Sequence, residues 1–483
     1  MDSPWRRELA LAALAVRVGA RIAEALSAEK DHGGTVEKPD LTPVTVADFA
    51  IQALLAATVE HCFPDDVVVG EESAGDLDSE CKQIKAEQYK ANVEHRLPDG
   101  VVVGEESAGD PRANPALPDS VWDAITRAVD EQERDELAGG LVVRGGGFEG
   151  LRVVPPRSRE HLLDLIDTCG AASPTPSTPR TWIVDPIDGT SSFVKNELYA
   201  INVALVEAGA FEAVSCIGAP NMTWRPLPPG KPLLNADVEV PSTGTRGCIM
   251  FAARGYGAWR QPLFVAPDEH KHEDIAPVRL ERLDQTVKTT EDLRFVGCTT
   301  VDSGATDVHD AVAVALAHDP ASSTSDVLSW VLRWVSMARG AANSVVWVYK
   351  KRSRRAKTWD HAGAMLLFRE TGGVISDVDG HPIDMAAGRT YESNYGFVAA
   401  PAHLHAALLA RVHKVLAELR PDIARVGPAL ELHAAQAVLD RAERISAETV
   451  SAGNKDLAEL AQANAAAARE RLAAATRACG GHE

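Results

Sequence analysis

The sequence predicts a layered α/β fold followed by an appended helical tail, and three observations lead to this prediction. Continuous apolar runs at 199–206 and 211–218 are typical of buried strands. After about residue 290, strand-like and helix-like segments alternate, as they do in layered α/β proteins. Residues 421–478 are rich in Ala, Glu and Arg and poor in aromatic residues, which favours helices that are stable mainly when packed on another surface.

The composition is that of a folded protein and excludes several classes. The chain has 483 residues, of which 45% are hydrophobic and 24% charged, so it can bury a sizeable core. This length allows about three domains or one large layered unit. The formal net charge of −20 repels phosphate backbones, so nucleic-acid binding is not expected, and a phosphate substrate would need a local cation such as a metal ion. No apolar run approaches the roughly 20 residues of a membrane span, so no membrane partner is expected.

The seven cysteines indicate a reducing compartment. They are Cys62, Cys81, Cys169, Cys216, Cys248, Cys298 and Cys479. Their number is odd and no two have Cys-x-x-Cys spacing, which argues against a disulfide framework and against a zinc knuckle. The first predicted helix begins almost at Met1 and leaves no room for a cleaved leader, so the expected location is cytoplasmic.

Two helices followed by strands are predicted in the first part of the chain. Apolar residues at helical spacing predict a helix over 5–28. A second helix is predicted over 45–62, with Thr45 as its N-cap. A short helix is expected at 160–168, and strands are expected at 67–69, 182–184, 199–206 and 211–218, with Gly- and Pro-rich loops at 138–150 and 170–181.

The later part of the chain is predicted to alternate strands and helices. Strands are expected near 294–298 and 344–349 and a strand with a turn at 374–384, whereas helices are expected near 307–318, 326–339, 359–371 and 402–417. We divide the chain into an N-terminal half at 1–225, a C-terminal half at 226–417 and the helical tail at 418–483.

A duplicated segment interrupts the N-terminal half. The 18 residues VEHCFPDDVVVGEESAGD at 59–76 recur at 93–110 with three differences. Two nearly identical copies with unrelated flanks indicate a tandem duplication or an error in the gene model rather than a helical repeat array. Glu71 and Glu105 occupy the same place in the two copies, so only one of them can fill any single site.

Residues 77–110 are expected to loop out as an insert, which leaves Glu71 as the residue in use. The 23 residues from Asp48 to Glu71 suit one helix followed by one strand, whereas Asp48 and Glu105 are 57 residues apart. Residues 111–129 read as the native continuation of the chain after the insert.

The strongest local motif is DPIDGT at 185–190, directly after a predicted strand. Its proline is expected to turn the chain where the strand stops, so the carboxylates of Asp185 and Asp188 can converge. Thr190 and Ser191 supply hydroxyl and N–H groups at an expected helix start, which is a natural seat for a phosphate. The alternative is an Asx turn with a helix N-cap, which explains Asp188 and Thr190 but not Asp185.

Acidic residues also stand at three other element ends. Glu71 follows a short strand, Asp48 lies at the start of the second helix, and Asp360 is expected in the first turn of a later helix. Taken alone, Asp360 is a helix-capping acid and Glu71 belongs to a solvated loop pair. Gathered around one point, Glu71, Asp185, Asp188 and Asp360 would form an all-oxygen site suited to Mg²⁺, and their mutual repulsion would make an ion necessary.

Four segments resemble the signature segments of the inositol monophosphatase superfamily, whose members are Mg²⁺-dependent, lithium-sensitive phosphomonoesterases. They are VTVAD at 44–48, VGEES at 69–73, DPIDGT at 185–190 and WDHAG at 359–363. Three further segments resemble the 3′(2′),5′-bisphosphate nucleotidase branch in particular: TPVT at 42–45, CIGAPN at 216–221 and ARGYGA at 253–258. The resemblance extends over roughly residues 5–415 and implies a two-part αβαβα sandwich of the sugar-phosphatase kind.

The resemblance also implies a role for each matching residue. The implied roles are ligation of two or three Mg²⁺ ions by Glu71, Asp185, Asp188, Asp360 and the backbone carbonyl of Ile187, activation of water by Asp48 and Thr190, phosphate binding by the N–H groups of Gly189, Thr190 and Ser191, and nucleotide contact by His309 and Arg333. For His309 and Arg333 the simpler alternatives are a surface histidine and an arginine that extends its charge to solvent.

The implied activity is hydrolysis of the 3′-phosphate of adenosine 3′,5′-bisphosphate, with 3′-phosphoadenylyl sulfate as a further candidate substrate. One departure concerns Ser191-Ser192-Phe193, which stands where the branch usually has Lys-Gly-Phe and leaves the substrate open. The alternatives are an inositol phosphate phosphatase and an inactive homologue, obstructed by the insert, whose tail at 421–478 binds a partner helix. The expected partner in the first two cases is a small phosphorylated molecule.

Overall fold

The structure of the protein, a computed structural model, describes residues 3–31, 43–72, 116–137 and 151–424 apart from short gaps. The gaps are at 176–177, 179, 208–210, 229–230, 240–243, 267–274, 302 and 320–323, and scattered residues between 439 and 477 are also described. The predicted insert at 77–110 with Glu105, the loop at 138–150 and most of the tail at 418–483 lie outside the described residues.

A seven-stranded sheet forms the centre of the molecule, and its strands follow one another in chain order. They are β1 (Val67–Gly70), β2 (Arg180–Asp188), β3 (Ala200–Glu207), β4 (Phe211–Ala219), β5 (Arg246–Ala253), β6 (Ala258–Phe264) and β7 (Val278–Arg279). β1 pairs with β2 in parallel, and each later pair is antiparallel. The sheet continues beyond residue 225, where we divided the chain by sequence, and that division stays a prediction.

Helices cover both faces of this sheet, which explains why its strands read as continuous apolar runs. Alternate residues of β3 belong to opposite cores, with Ile201 and Val203 on one face and Ala200 and Ala204 on the other. The first face packs against α1 (Arg6–Asp31), α2 (Pro43–Cys62) and α4 (Arg159–Ala171), and the second against α8 (Trp330–Ala338) and α9 (Ala362–Glu370). α3 (Ala116–Leu137) packs on α1, α2 and α4.

A smaller antiparallel sheet lies on the other side of α8 and α9. Its strands are β10 (Val345–Trp347), β12 (Phe397–Pro401) and β11 (Gly373–Ser376), with β12 in the middle. α10 (Ala402–Leu419) packs on this sheet and against α7 (Thr306–Ala315). Short elements complete the fold: α5 (Thr190–Val194), α6 (Leu283–Thr286) and the parallel pair β8 (Val296–Gly297) and β9 (Ser325–Asp326). The layers alternate as αβαβα, so the predicted layered α/β fold is confirmed.

The expectation that the chain turns at the end of β2 is corrected by the structure. β2 continues through Pro186 to Asp188, and its pairing with β3 shifts register between Asp185 and Asp188. Such a bulge bends the strand and re-aims its side chains. The two carboxylates therefore converge within an irregular strand end rather than in a turn after it.

Two helices begin later than predicted. α8 begins at Trp330 instead of 326, because Ser329 is its N-cap and its hydroxyl accepts a hydrogen bond from the N–H of Leu332. α9 begins at Ala362, so Asp360 lies before the helix and not in its first turn. The capping interpretation of Asp360 therefore has no support in the structure.

The described cysteines form no disulfide. Cys62, Cys169, Cys216, Cys248 and Cys298 are all free thiols. Among the helices of the described segments, none combines the length and the apolar character needed to cross a membrane.

Candidate active site

Three carboxylates converge where the large sheet meets α9. Ligand oxygens of Asp185, Asp188 and Asp360 all lie within 4.8 Å of one another. Asp185 and Asp188 come from the bulged end of β2, and Asp360 comes from the segment before α9. The structure thus brings together three of the four acids that the sequence analysis assigned to the metal.

Asn202 joins the strand that carries Asp185 to the segment that carries Asp360. It lies opposite Asp185 in the pairing of β2 with β3, is fully buried, and its amide donates to the carbonyl of Trp359 at 2.7 Å. A Cβ on Gly363 would lie 2.3 Å from the Asn202 side-chain oxygen. Only glycine therefore lets α9 approach β3 closely enough for this contact.

Glu71 reaches the same edge of the sheet because β1 is the parallel neighbour of β2, so both strands end there. The buried side chain of Gln52 on α2 holds the backbone of the next residue: it accepts from the N–H of Glu72 at 2.8 Å and donates to its carbonyl at 2.7 Å. A Cβ on Gly70 would lie 2.3 Å from Gln52. Asp48, one turn before Gln52, is also buried.

The electrostatics of the site show that these acids face one another. Burial raises the pKa of Asp185 well above its usual value, and the charges of Glu71, Asp188, Asp360 and Asp48 raise it further. Burial likewise raises the pKa of Asp360, followed by the charges of Asp188 and Glu71. Five acids from distant parts of the sequence therefore contribute to one strongly negative field.

The environment of Asp188 is different because it accepts hydrogen bonds. Its Oδ2 accepts from the hydroxyl of Ser329 at 2.6 Å and from the N–H of Val331 at 2.5 Å. Burial raises its pKa to about 6, and these two hydrogen bonds oppose the rise. Asp188 is thus fixed in orientation by the start of α8.

The donor set fits a hard divalent cation such as Mg²⁺. Every ligand-type side chain in it is a carboxylate, and such ions prefer oxygen ligands. Oδ1 of Asp185 is buried and has no hydrogen-bond partner within the described part of the chain. A buried carboxylate oxygen without a partner is costly, and a cation would compensate it.

The segment after Asp188 forms a helix start beside the acids. Gly189 has φ of +88° and is the N-cap of α5, a conformation that favours glycine. The N–H groups of Gly189, Thr190 and Ser191 therefore lie at a helix N-terminus, next to Asp188. The Thr190 hydroxyl donates to the carbonyl of Ile187 at 3.2 Å.

His309 lies beside a cavity of about 430 Å³ between α7 and the smaller sheet, and none of the five acids lines this cavity. Its ring is 5.5 Å from that of Phe295, and its Nδ1 pairs with Asp310 at 2.9 Å. Its Nε2 is buried without a hydrogen-bond partner among the described residues, as is the indole nitrogen of Trp347, which also lines the cavity. The simpler interpretation of a surface histidine is wrong, since the side chain is only 12% exposed.

Arg333 is completely buried on α8, so the interpretation of an arginine that extends to solvent is also wrong. It donates to the carbonyls of Val327 at 2.8 Å and Leu328 at 2.9 Å. Its guanidinium carbon lies 4.0 Å from the ring centre of Trp330 and 4.7 Å from that of Trp347. Its charge acts on Asp188 and Asp360, whose pKa values it lowers.

Lys357 is a residue that the sequence analysis missed. Its ammonium lies 4.0 Å from Oε1 of Glu71, and its charge lowers the pKa of Asp360. Its position two residues before WDHAG was a signal that could have been used. Gln52 and Asn202 gave no such signal, because they act on backbone groups far away in the sequence.

A family model described as the inositol monophosphatase family matches residues 161–417. This range includes Asp185, Asp188 and Asp360 and covers more than half of the chain. The chain belongs to the inositol monophosphatase family. The prediction of a phosphatase-family enzyme is thereby confirmed.

Curated relatives in this family have a more specific name. A 3′(2′),5′-bisphosphate nucleotidase of Emericella nidulans is 30% identical over 415 residues, which are 85% of this chain and 99% of the relative. A 3′(2′),5′-bisphosphate nucleotidase of Schizosaccharomyces pombe is 28% identical over 406 residues, or 83% of this chain and 92% of the relative. The sequence resemblance to this branch is therefore confirmed.

Among solved structures, the inositol monophosphatase II of Staphylococcus aureus is similar with a TM-score of 0.42 and 15% identity, over 85% of this chain and 98% of the other.

Proposed function

We propose that the chain is a Mg²⁺-dependent phosphomonoesterase that removes the 3′-phosphate of adenosine 3′,5′-bisphosphate. The observation that supports the metal-dependent chemistry is the convergence of Asp185, Asp188 and Asp360 within 4.8 Å, beside a helix start. The names of the curated relatives support the substrate. 3′-Phosphoadenylyl sulfate is a second candidate substrate, since it carries the same 3′-phosphate.

In this proposal Glu71, Asp185, Asp188, Asp360 and the carbonyl of Ile187 hold the Mg²⁺ ions. When bound, Mg²⁺ supplies positive charge that offsets the phosphate oxygens and lowers the pKa of a water molecule. The net charge of −20 makes such a local reversal of sign necessary, because the protein would otherwise repel an anionic substrate.

The chain's own groups position the reactants. The N–H groups of Gly189, Thr190 and Ser191 donate to phosphate oxygens, as helix N-termini do in many phosphate sites. Asp48 and the Thr190 hydroxyl orient the attacking water, and Asp48 receives its proton. Phosphoryl transfer depends mainly on positioning and on charge stabilisation, so no covalent nucleophile is required.

The cavity beside His309 is the proposed site of the nucleoside. Its volume of about 430 Å³ lies in the range of small-molecule sites. The unsatisfied Nε2 of His309 and the indole N–H of Trp347 offer hydrogen bonds to a base or a ribose, and unsatisfied buried polar atoms need such partners. Arg333 holds the Trp330 and Trp347 rings in place and adds a positive charge near Asp188.

The experiment that tests the proposal is phosphate release by the full-length protein. Adenosine 3′,5′-bisphosphate, 3′-phosphoadenylyl sulfate and inositol 1-phosphate are compared with Mg²⁺, without it, and with added Li⁺. We expect release from the adenosine substrates that requires Mg²⁺ and that Li⁺ inhibits. Release from inositol 1-phosphate alone would contradict the proposed substrate but keep the phosphatase chemistry.

An inactive scaffold is the alternative of a different class, and truncation separates the two. Ile423 is the last residue of the core cluster around the smaller sheet, and its carbonyl accepts a hydrogen bond from Arg352. A chain that ends at Ala424 should retain Mg²⁺-dependent phosphate release. If neither the full-length nor the truncated protein releases phosphate, and truncation abolishes the binding of a partner helix, the scaffold is favoured.

A further inference from the structure

Arg389, between β11 and β12, reaches from the C-terminal layers to the N-terminal layer. Its Nη2 donates to the carbonyl of Gly70 at 2.8 Å and to that of Glu71 at 3.3 Å. Its Nη1 donates to the carbonyls of Cys169 at 3.2 Å and Ala172 at 3.0 Å. One guanidinium thus binds four backbone carbonyls from two segments that are distant in the sequence.

The chemistry of these carbonyls suits an arginine. Cys169 lies in the last turn of α4 and Ala172 follows that helix, so both carbonyls belong to the negative end of a helix dipole. Gly70 and Glu71 lie where β1 ends. Arginine presents several donors in a rigid planar fork, and a lysine cannot bind both pairs of carbonyls in this way.

Arg389 also contacts the segment that carries Asp360. Its guanidinium carbon lies 4.5 Å from the ring centre of Trp359. Its own carbonyl accepts from the N–H of Thr358 at 3.0 Å and from the Thr358 hydroxyl at 3.1 Å. The same residue therefore touches the backbone that presents Glu71 and the ring beside Asp360.

We propose that Arg389 is a positioning residue that sets the distance between Glu71 and Asp360 in the cation site. The proposal rests on the metal role assigned to these acids under the proposed function. Glu71 and Asp360 belong to different layers, and their like charges push them apart in the absence of a cation. Arg389 counters this repulsion by fixing the backbone of one acid and the neighbouring ring of the other.

Arg352 provides a matched control within the same chain. It also stacks on an aromatic ring, with its guanidinium carbon 4.1 Å from the ring centre of Tyr395, and it also donates to a backbone carbonyl, that of Ile423, at 2.6 Å. Its remaining partner is Asp379, bound through two hydrogen bonds of 2.6 and 2.9 Å. Arg352 thus fixes the segment that follows α10, and among the described residues it contacts none of the five acids of the site.

The test is calorimetric titration of Mn²⁺ into the metal-free full-length protein and its variants. Arg389→Gln should weaken Mn²⁺ affinity by about 10- to 100-fold, the range seen when groups that orient metal ligands are removed. Arg389→Lys should weaken it less. Arg352→Gln should leave Mn²⁺ affinity at the site of the five acids unchanged even where its melting temperature falls, and any new Mn²⁺ binding at Asp379, which this variant releases, is counted separately.

Three outcomes would overturn the proposal. They are an unchanged Mn²⁺ affinity in Arg389→Gln, an equal loss in Arg352→Gln, and the absence of Mn²⁺ binding by the unmodified protein. If Arg389→Gln does not fold, Arg389→Lys is measured in its place. An unchanged Mn²⁺ affinity in Arg389→Lys would then also contradict the proposal. Mn²⁺ binding that depends on Arg389 in a protein without phosphate release would retain this inference and reject the proposed function.

Discussion

At the scale of single residues, burial and the charges of neighbouring acids act together on Asp185. It is 1% exposed, one of its oxygens lacks a hydrogen-bond partner within the described residues, and four other acids act on it. Burial and like charge both disfavour its ionised form. The ionised form of Asp185 is therefore unfavourable in the metal-free protein, and a bound cation would stabilise it.

Asp185→Asn should have opposite effects on activity and on the stability of the metal-free protein. It removes a ligand, so Mg²⁺-dependent phosphate release should fall by more than about 100-fold, beyond the loss expected for an indirect contact. It also removes a buried like charge, so the melting temperature in EDTA should rise by roughly 2 °C or more. Asp119→Asn, on the exposed side of α3, is the control for both measurements. A lower melting temperature in EDTA would contradict the electrostatic account.

The buried cysteines provide a second test at the residue scale. Burial raises the pKa of Cys169 and of Cys216 to about 12, so both thiols stay protonated at pH 8 and at pH 10. Only the thiolate reacts, and neither sulfur is accessible. Iodoacetamide should therefore label Cys62, which is partly exposed, in the native protein and should label the other two only after denaturation. Peptide mass spectrometry measures this, and equal labelling of the three would refute the burial.

At the scale of elements, the site depends on the close approach of α9 to β3. Gly363→Ala would place a Cβ 2.3 Å from the Asn202 side chain and 3.0 Å from the carbonyl of Val203. Overpacking of this kind costs about 1–3 kcal/mol. We expect the free energy of unfolding in urea to fall by that amount. Because Asp360 shifts, we also expect half-maximal phosphate release to require a higher Mg²⁺ concentration. Gly297→Ala, whose nearest contact is 3.7 Å away, should cost less.

The elements that the sequence predicted well are those with strong local patterns. The buried strands β3 and β4 and the amphipathic α1 and α10 were found within a few residues, because their apolar periodicity is a local property. β5, β6, β7 and β12 were not predicted. β6, for example, alternates buried and half-buried residues and contains Arg260, Gln261 and Pro262, so its strand character depends on its neighbours.

The acids of the site were predictable, whereas the residues that hold them were not. DPIDGT and WDHAG are short motifs, and their carboxylates can be recognised without knowledge of the fold. Gln52, Asn202 and Arg389 each act on a backbone group of a distant segment, at separations of 20, 157 and 319 residues respectively. Only the folded chain shows these pairs, and Asp360 itself was misplaced in a helix by local pattern alone.

At the scale of the whole molecule, the duplicated segment makes a prediction about which copy is in use. Glu71 directly follows β1, and its Oε1 lies 4.0 Å from Nζ of Lys357, within the group of acids, whereas Glu105 lies outside the described residues. Glu71→Gln should lower Mg²⁺-dependent phosphate release by more than about tenfold, as expected for a ligand. Glu105→Gln should leave the release unchanged in a parallel assay. The reverse result would move the ligand to the second copy.

The position of Asp360 has a consequence for synthesis on the ribosome. Asp185 and Asp188 leave the exit tunnel long before Asp360, yet the three oxygens meet only when α9 packs on the sheet. A nascent chain that has folded the large sheet alone would carry Asp185 and Asp188 without Asp360, and the proposed cation site would be incomplete. If the proposed function holds, metal binding would follow the packing of α9 on the sheet and would occur only in a chain whose two cores have formed.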